Sequence, residues 1–194
     1  MFNREDKPTY FQRSWHKILI TAAILAALLY LVFVWGNNAL EKRLPIKFQE
    51  QVEKYSAEYS LDKYLVYAII NTESGFDPEA ESHAGAIGLM QLMPDTASWL
   101  NEKYSLGYDE INLKDPDQNV RMGCCYLAYL SNRFSSPELV FAAYNGGPNN
   151  VAKWLNNPEY SSDGKTLKRI PYEETSNYVK KVSVRYDFYK KLYS

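Results

Sequence analysis

The reading of one stretch decides the fold: "NTESGFDPEAESHAGAIGLMQLMPDTA", Asn71 to Ala97. It begins where an apolar run ends. Leu61, Leu65, Ala68, Ile69 and Thr72 recur at helical spacing, with Ser60 or Asp62 able to open the helix and Gly75 able to close it. Glu73 therefore falls at the C-terminal end of that helix. The partial negative charge there disfavours an anion, and Ile69, Ile70 and Phe76 add desolvation, so the acid is expected to hold its proton toward neutral pH. A carboxylic acid of this kind suits general-acid chemistry, although an exposed Glu at a frayed helix end would share the same local sequence.

The loop that follows carries convergent polar groups. Gly85 and Gly88 permit close backbone approach, Gln91 is a neutral donor and acceptor suited to sugar hydroxyls and acetamides, and Met93 offers a soft apolar surface. Leu89, Met90 and Leu92 read as core. Further on, "AAYNGGPNN" puts Tyr144 and Asn145 at a helix end beside two glycines; for Asn145 alone a capping role suffices.

Working outward, the remaining pattern is helical. Pro94 opens a helix through Leu100. Asp115-Pro116 begins another with Val120, Cys124, Leu127 and Leu130 on one side, and Ser136-Pro137-Glu138 caps a third that stops at Gly146-Gly147-Pro148. The last helix runs from Thr175 to about Tyr193 with Val179, Val182, Tyr186 and Tyr189 on one face. No convincing strand is present, though "GKTLKRIPY" has room for a brief extended piece. Residues 46–194 form one mostly α domain of ordinary size.

Ahead of it, Ile18 to Trp35 reads "ILITAAILAALLYLVFVW", without a charge, and tryptophans Trp15 and Trp35 flank it. At about 1.5 Å per residue such a helix spans a bilayer core. A buried core helix would carry polar residues on its rim, and a cleavable signal would need a better small-x-small site than "GNNALEKR" supplies. The reading is a short cytoplasmic tail (1–17), a transmembrane signal anchor (18–35), a linker (36–45) and the domain (46–194). Flanking cations do not orient the span: Arg4, Lys7, Arg13 and Lys17 precede it, and Lys42, Arg43, Lys47 and Lys54 follow.

A net charge of −1 gives no electrostatic reason for a nucleic-acid partner. Seventeen tyrosines suit sugar recognition and ordinary packing alike. The adjacent Cys124 and Cys125 read as small apolar residues on a buried helix, and two histidines, His16 and His83, give a metal almost nothing to bind.

The segments "ESGFDPEAESHAGAIGLMQLMPDTA", "DPDQNVRMGCCYL", "AAYNGGPNNV" and "IPYEETSNYVKKV", in this order, resemble the bacterial lytic transglycosylases with the soluble-lytic-transglycosylase catalytic domain, relatives of goose-type lysozyme. The resemblance covers most of the chain from about Phe48 onward. It implies a lysozyme-like α fold, peptidoglycan glycan strands as substrate, and no metal or organic cofactor. Carried over by position, Glu73 is similar to the family's single catalytic acid and base. Ser82 is similar to a serine lining the site near the reacting sugar. Gln91 and Met93 match substrate contacts, Tyr144 and Asn145 match the segment across the cleft, and Glu174 and Tyr178 fall on the segment whose glutamate lies in the groove. Glu174 is also good first-turn chemistry for the last helix. The Cys124-Cys125 pair departs from the small residues usual there, and His83 is left no catalytic task.

Ordinary glycosidases flank the bond with two carboxylates. Here one acid is well placed, while Asp77, Glu79 and Glu81 sit in a loop expected to be solvated. The resemblance implies that the 2-acetamido group of N-acetylmuramic acid replaces the second acid and that a 1,6-anhydro ring forms. The expected protein is a single-pass cell-membrane enzyme with its catalytic domain on the extracytoplasmic side, working alone or with cell-wall or secretion machinery. A hydrolytic muramidase and a catalytically silent wall-binding module are the competing readings.

Overall fold

The computed structural model describes residues 10–194, without the side chains of residues 10–14 and 37–41. The chain divides into two units, Met1–Pro45 and Ile46–Ser194.

The first unit holds one long helix, α1 (Tyr10–Arg43). Its apolar window, Trp15–Gly36, has a mean hydropathy of 2.7 and none of it is buried, so the helix is long and apolar enough to cross a membrane. The expected tail falls partly on residues 1–9, outside the described residues. The expected linker is shorter than the sequence suggested, because α1 continues to Arg43. "NNALEKR" contains good helix formers and no breaker before Pro45.

The second unit contains α2 (Gln49–Glu58), α3 (Lys63–Glu73), α4 (Pro94–Tyr104), α5 (Pro116–Arg133), α6 (Pro137–Gly146), α7 (Pro148–Leu155) and α8 (Glu173–Tyr193). The start signals act as expected. Asp62 accepts from the Tyr64 N–H, Asp115 from Gln118 and Ser136 from Leu139, each satisfying a donor that the first turn leaves open. Prolines 94, 116, 137 and 148 stand in first turns, where their missing N–H costs nothing. The helix opened by Pro94 runs a turn past Leu100, to Tyr104. Pro148 also opens α7, a helix hidden in sequence because "GGP" reads first as a stop.

Packing follows the apolar stripes. Helix α8 lies against α3 and α6, α6 against α7 and α5, α2 against α3 and α5, and α4 against α5. The middle of α3 is enclosed all round, with Val66, Tyr67, Ala68, Ile69 and Ile70 buried in succession, while Leu61 and Leu65 are only half-buried. A second cluster of Leu92, Ala97, Leu100, Leu113, Met122 and Cys125 joins α4 to α5. Cys124 and Cys125 are buried free thiols, as expected of small apolar residues.

No strand occurs among the described residues, and "GKTLKRIPY" forms turns and bends. The extended pairing lies instead in the loop after α3, as isolated antiparallel bridges from Ile87 to Glu81 and to Leu92.

Candidate active site

Glu73 is the last residue of α3, partly buried between the loop 74–93 and the first half of α8. The Tyr178 O–H donates to its Oε1 at 2.7 Å. Burial pushes the Glu73 carboxyl up from an ordinary 4.5 to about 7. The Tyr178 hydrogen bond pulls the other way, and the charge of Glu174 adds to the rise. Desolvation wins, so the group is half protonated near neutral pH and can both give and take a proton. Tyr178 and Tyr144 are held far above the usual phenol range, by burial first and then by the charge of Glu73, so both remain neutral donors.

Ser74 ties the end of α3 to the loop. Its hydroxyl donates to the Leu89 carbonyl at 2.9 Å and accepts from the Phe76 N–H at 3.1 Å. Within the loop, Ile87 and Leu92 exchange N–H···O bonds of 2.9 and 3.0 Å around the turn Gly88-Leu89-Met90-Gln91. Gly88 is required twice over: its φ is +80°, and a Cβ there would lie 2.1 Å from the Leu113 carbonyl oxygen.

This turn is bolted to α5 by Asn119, whose side chain is fully buried. Its Oδ1 accepts from the Met90 N–H at 2.8 Å, and its Nδ2 donates to Ile87 O at 2.9 Å and Leu113 O at 2.8 Å. One turn later, Gly123 leaves a flat place for Met90: a Cβ would come 2.2 Å from the Met90 sulfur. From the other side, the Tyr144 O–H donates to the Met90 carbonyl at 2.9 Å. Met90 is thus fixed through both backbone polar groups and its side chain.

The polar residues expected at the site separate into two groups. Tyr178 touches the acid, Tyr144 lies close enough to feel its charge, and Glu174 perturbs its proton affinity. Met93 is exposed at the start of α4, beside the turn. The others are also engaged with the protein itself. The Gln91 Nε2 donates to Ala80 O and Gly88 O at 3.1 and 3.0 Å, so its amide nitrogen is not a free hand for a sugar. Ser82 Oγ accepts from the Ala86 N–H at 3.0 Å, which leaves its own O–H to donate. Asn145 Oδ1 accepts from the Thr175 hydroxyl at 2.7 Å; it links α6 to α8 rather than capping its own helix. Gly146 permits that approach, since a Cβ there would meet Thr175 Oγ1 at 2.9 Å.

Sequence reasoning missed Ser74, Asn119, Gly123 and Thr175. Asn119 alone left a trace, a polar residue one position before Val120 on a helix whose neighbouring positions are apolar. The acids Asp77, Glu79 and Glu81 are exposed, as expected, and Glu79 pairs with Lys114 at 3.3 Å. No group of three or more metal-ligating side chains occurs among the described residues.

Comparison with known proteins agrees with this geometry. Residues 50–167 match the Transglycosylase SLT domain family. The chain is 33% identical over 183 residues to the soluble lytic murein transglycosylase of Escherichia coli, covering 92% of this chain and 27% of that protein. It is 35% identical over 136 residues to the membrane-bound lytic murein transglycosylase C of Sodalis glossinidius, covering 60% of this chain and 35% of that one. An inactive Glu-to-Gln mutant of the lytic transglycosylase Slt from Pseudomonas aeruginosa superposes with a TM-score of 0.69 at 31% identity, over 78% of this chain and 25% of that structure. The chain spans about a quarter to a third of the length of these relatives. The mostly helical, lysozyme-like fold expected from the sequence is the fold observed, and the chain belongs to the Transglycosylase SLT domain family.

Proposed function

We propose that this chain is a membrane-anchored lytic transglycosylase that cleaves the β-1,4 bond between N-acetylmuramic acid and N-acetylglucosamine in peptidoglycan strands. The observation that carries the reading is Glu73: a shielded carboxyl whose burial raises it to about 7, held by the Tyr178 hydroxyl at the mouth of a rigid loop. Protonated Glu73 gives its proton to the glycosidic oxygen as the C1–O bond breaks. The substrate's own 2-acetamido group stabilises the positive charge at C1. Glu73, now a carboxylate, takes the proton of the 6-hydroxyl as O6 bonds to C1, closing a 1,6-anhydro ring. One proton leaves the acid and one returns, no water is consumed, and no cofactor is needed.

Tyr178 orients the carboxyl and donates to it while it is charged. Tyr144 holds Met90, and with it the turn leading to Met93, against the cleft. Ser82, Gln91, Met93, Asn145 and Glu174 border the path of the sugar. The membrane-bound relative and the apolar window of α1 support an anchored chain; the proposed substrate requires the catalytic unit on the extracytoplasmic side, where peptidoglycan lies. An inactive Glu-to-Gln relative supports a mechanism resting on one glutamate. Glu174, close enough to perturb Glu73, favours the hydrolytic alternative, in which it directs a water to C1.

Mass spectrometry of the products from purified peptidoglycan tests the proposal. Ends bearing 1,6-anhydro-N-acetylmuramic acid are expected, and Glu73→Gln abolishes them. Reducing ends would establish the hydrolytic route. Strand binding without cleavage would mean a wall-binding module.

A further inference from the structure

Helix α8 has two faces. One packs inward through Thr175, Tyr178, Val179, Val182 and Tyr189. The other carries Lys180, Lys181, Val184, Asp187, Phe188 and Lys191 at helical spacing, and all six are exposed. Val184 keeps 53% of its surface open and Phe188 42%. One turn apart, these two apolar side chains adjoin, with Lys180 and Lys181 a turn before them and Lys191 a turn after.

The fold itself does not account for this pattern. A lysine in the last turn complements the helix dipole, which covers Lys191, but Lys180 and Lys181 stand mid-helix. The ion pairs among the described residues involve none of the three. The other exposed large apolar side chains of this unit stand apart from the face: Met93, Trp99 and Tyr104 on α4 or at its start, and Tyr172 just before α8.

The face also lies away from the acid. Helix α8 runs antiparallel to α3. Tyr178 meets Glu73 at one end of α3; at the other, the Tyr186 hydroxyl donates to Asp62 Oδ2 at 2.7 Å and the Tyr64 hydroxyl to the Tyr193 carbonyl. Val184 and Phe188 are therefore about 9 and 15 Å beyond Tyr178 along the helix axis, and Val184 is about a third of a turn round it.

We infer that this face of α8 docks on a lipid bilayer containing anionic lipids, with Val184 and Phe188 entering the interface and Lys180, Lys181 and Lys191 meeting headgroup phosphates. The inference rests on the anchored-chain reading, and two observations choose the occupant. The first is charge: three lysines against the single Asp187 surround an apolar pair, the composition of a surface that lies on a membrane. The second is the tether. Residues 44–48 are all that separates α1 from α2, a reach of at most about 20 Å, so a chain held through α1 keeps this unit beside lipid. Two apolar side chains and three lysines make a weak contact alone, but the tether turns docking into an intramolecular step with an effective concentration in the millimolar range. A docked unit turns the Glu73 end of α3 away from the lipid, toward strands beyond the membrane surface.

The test reconstitutes the full chain in vesicles of phosphatidylcholine, with and without phosphatidylglycerol. Cys124 and Cys125 are buried, so a thiol-reactive bimane introduced through Val184→Cys reports this face, and one introduced through Glu102→Cys, exposed on α4, reports another. Bromines on the lipid chains should quench bimane at 184 and not at 102, only with phosphatidylglycerol present, and less as salt rises. Lys181→Gln and Lys191→Gln should each lower the ratio of docked to free unit about fivefold. Quenching equal at both positions, absent at 184, or indifferent to phosphatidylglycerol and to both lysine variants would overturn the inference. So would bimane at 184 shielded from aqueous iodide yet untouched by the lipid bromines, because a second copy or another protein would then cover the face. Failure of the anchored reading shows separately: alkaline carbonate would strip the wild-type chain from the vesicles, whereas loss of docking alone leaves it embedded.

Discussion

Replacing Glu73 by Gln should abolish activity and stabilise the fold, by an amount that depends on pH. Raising a carboxyl from 4.5 to about 7 means the folded state resists ionisation that the unfolded chain accepts freely. Below about 4.5 both states are protonated and the site costs nothing. As pH rises from 4.5 to about 7 the unfolded chain gains its charge first, and stability drains away until the folded carboxyl ionises too. At 1.36 kcal/mol per pH unit, the full penalty above that window is about 3 kcal/mol, an upper figure because the side chain is only partly buried. Gln has the same shape, and its carbonyl oxygen can still accept from Tyr178. Urea unfolding of the full chain in detergent, followed by near-ultraviolet circular dichroism, measures the difference. At about pH 4 the two proteins should unfold together, and at about pH 8.5 the Gln variant should be more stable by about 2–3 kcal/mol. A gap independent of pH, or a variant weaker at both values, would refute the claim that burial keeps a proton on Glu73.

The same carboxyl should set the alkaline limb of the rate profile, with kcat/KM falling as pH rises through about 7. Tyr178→Phe removes the donor that favours the charged form, so the limb should move to higher pH; Glu174→Gln removes a like charge, so it should move to lower pH, and pH–rate profiles of the pair check the opposite signs. Asn119→Ala strands the Met90 N–H and the Leu113 carbonyl in the interior and takes one of two donors from the Ile87 carbonyl, which keeps the Leu92 N–H. It should cost about 3 kcal/mol or more in chemical denaturation, with kcat reduced in whatever remains folded. Gly88→Ala drives a methyl into the Leu113 carbonyl and Asn119 from a positive φ. A loss above about 2 kcal/mol is expected, read as a lowered Tm.

How much of this was legible beforehand depended on how far apart the partners lie in the chain. Helix starts are local chemistry, an oxygen and an N–H within three residues, so Asp62, Asp115 and Ser136 could be read directly. Glu73 was legible for the same reason: its position at a helix end and its apolar neighbours are all within a few residues. The groups that tune it are not. Tyr178 reaches it across 105 residues, Asn119 reaches the Met90 N–H across 29, and Thr175 reaches Asn145 across 30. No periodicity encodes such pairs, and only family resemblance put Tyr178 near the site at all. Gln91 carries a second task that no local pattern shows. Its chemistry suits sugar recognition, and its amide nitrogen is spent on the loop, as a second donor to the Ala80 and Gly88 carbonyls, which already accept from the Gly88 and Gln91 N–H groups.

That spending explains why the loop needs so many polar residues when the chemistry needs one acid. A segment without regular structure has carbonyls and N–H groups that no helix or sheet satisfies, and a site that excludes water cannot leave them to solvent. Ser74, Ser82 and Asn119 each take up part of that load, Gln91 adds a second donor to two carbonyls, and Tyr144 takes the Met90 carbonyl from across the cleft. The result is a turn fixed from three directions, by α3 through Ser74, by α5 through Asn119 and Gly123, and by α6 through Tyr144. Rigidity there has a chemical consequence. A carboxyl raised by burial stays raised only while the groups that exclude water from it stay put; a looser turn would admit solvent and return Glu73 toward an ordinary acid. Substitutions at Asn119 or Tyr144, which never meet the acid's oxygens, should therefore lower the pH of the alkaline limb as well as the stability. The two effects should scale together across a series of such variants. A series that lost stability while keeping its limb near pH 7 would show that the turn and the acid are independent.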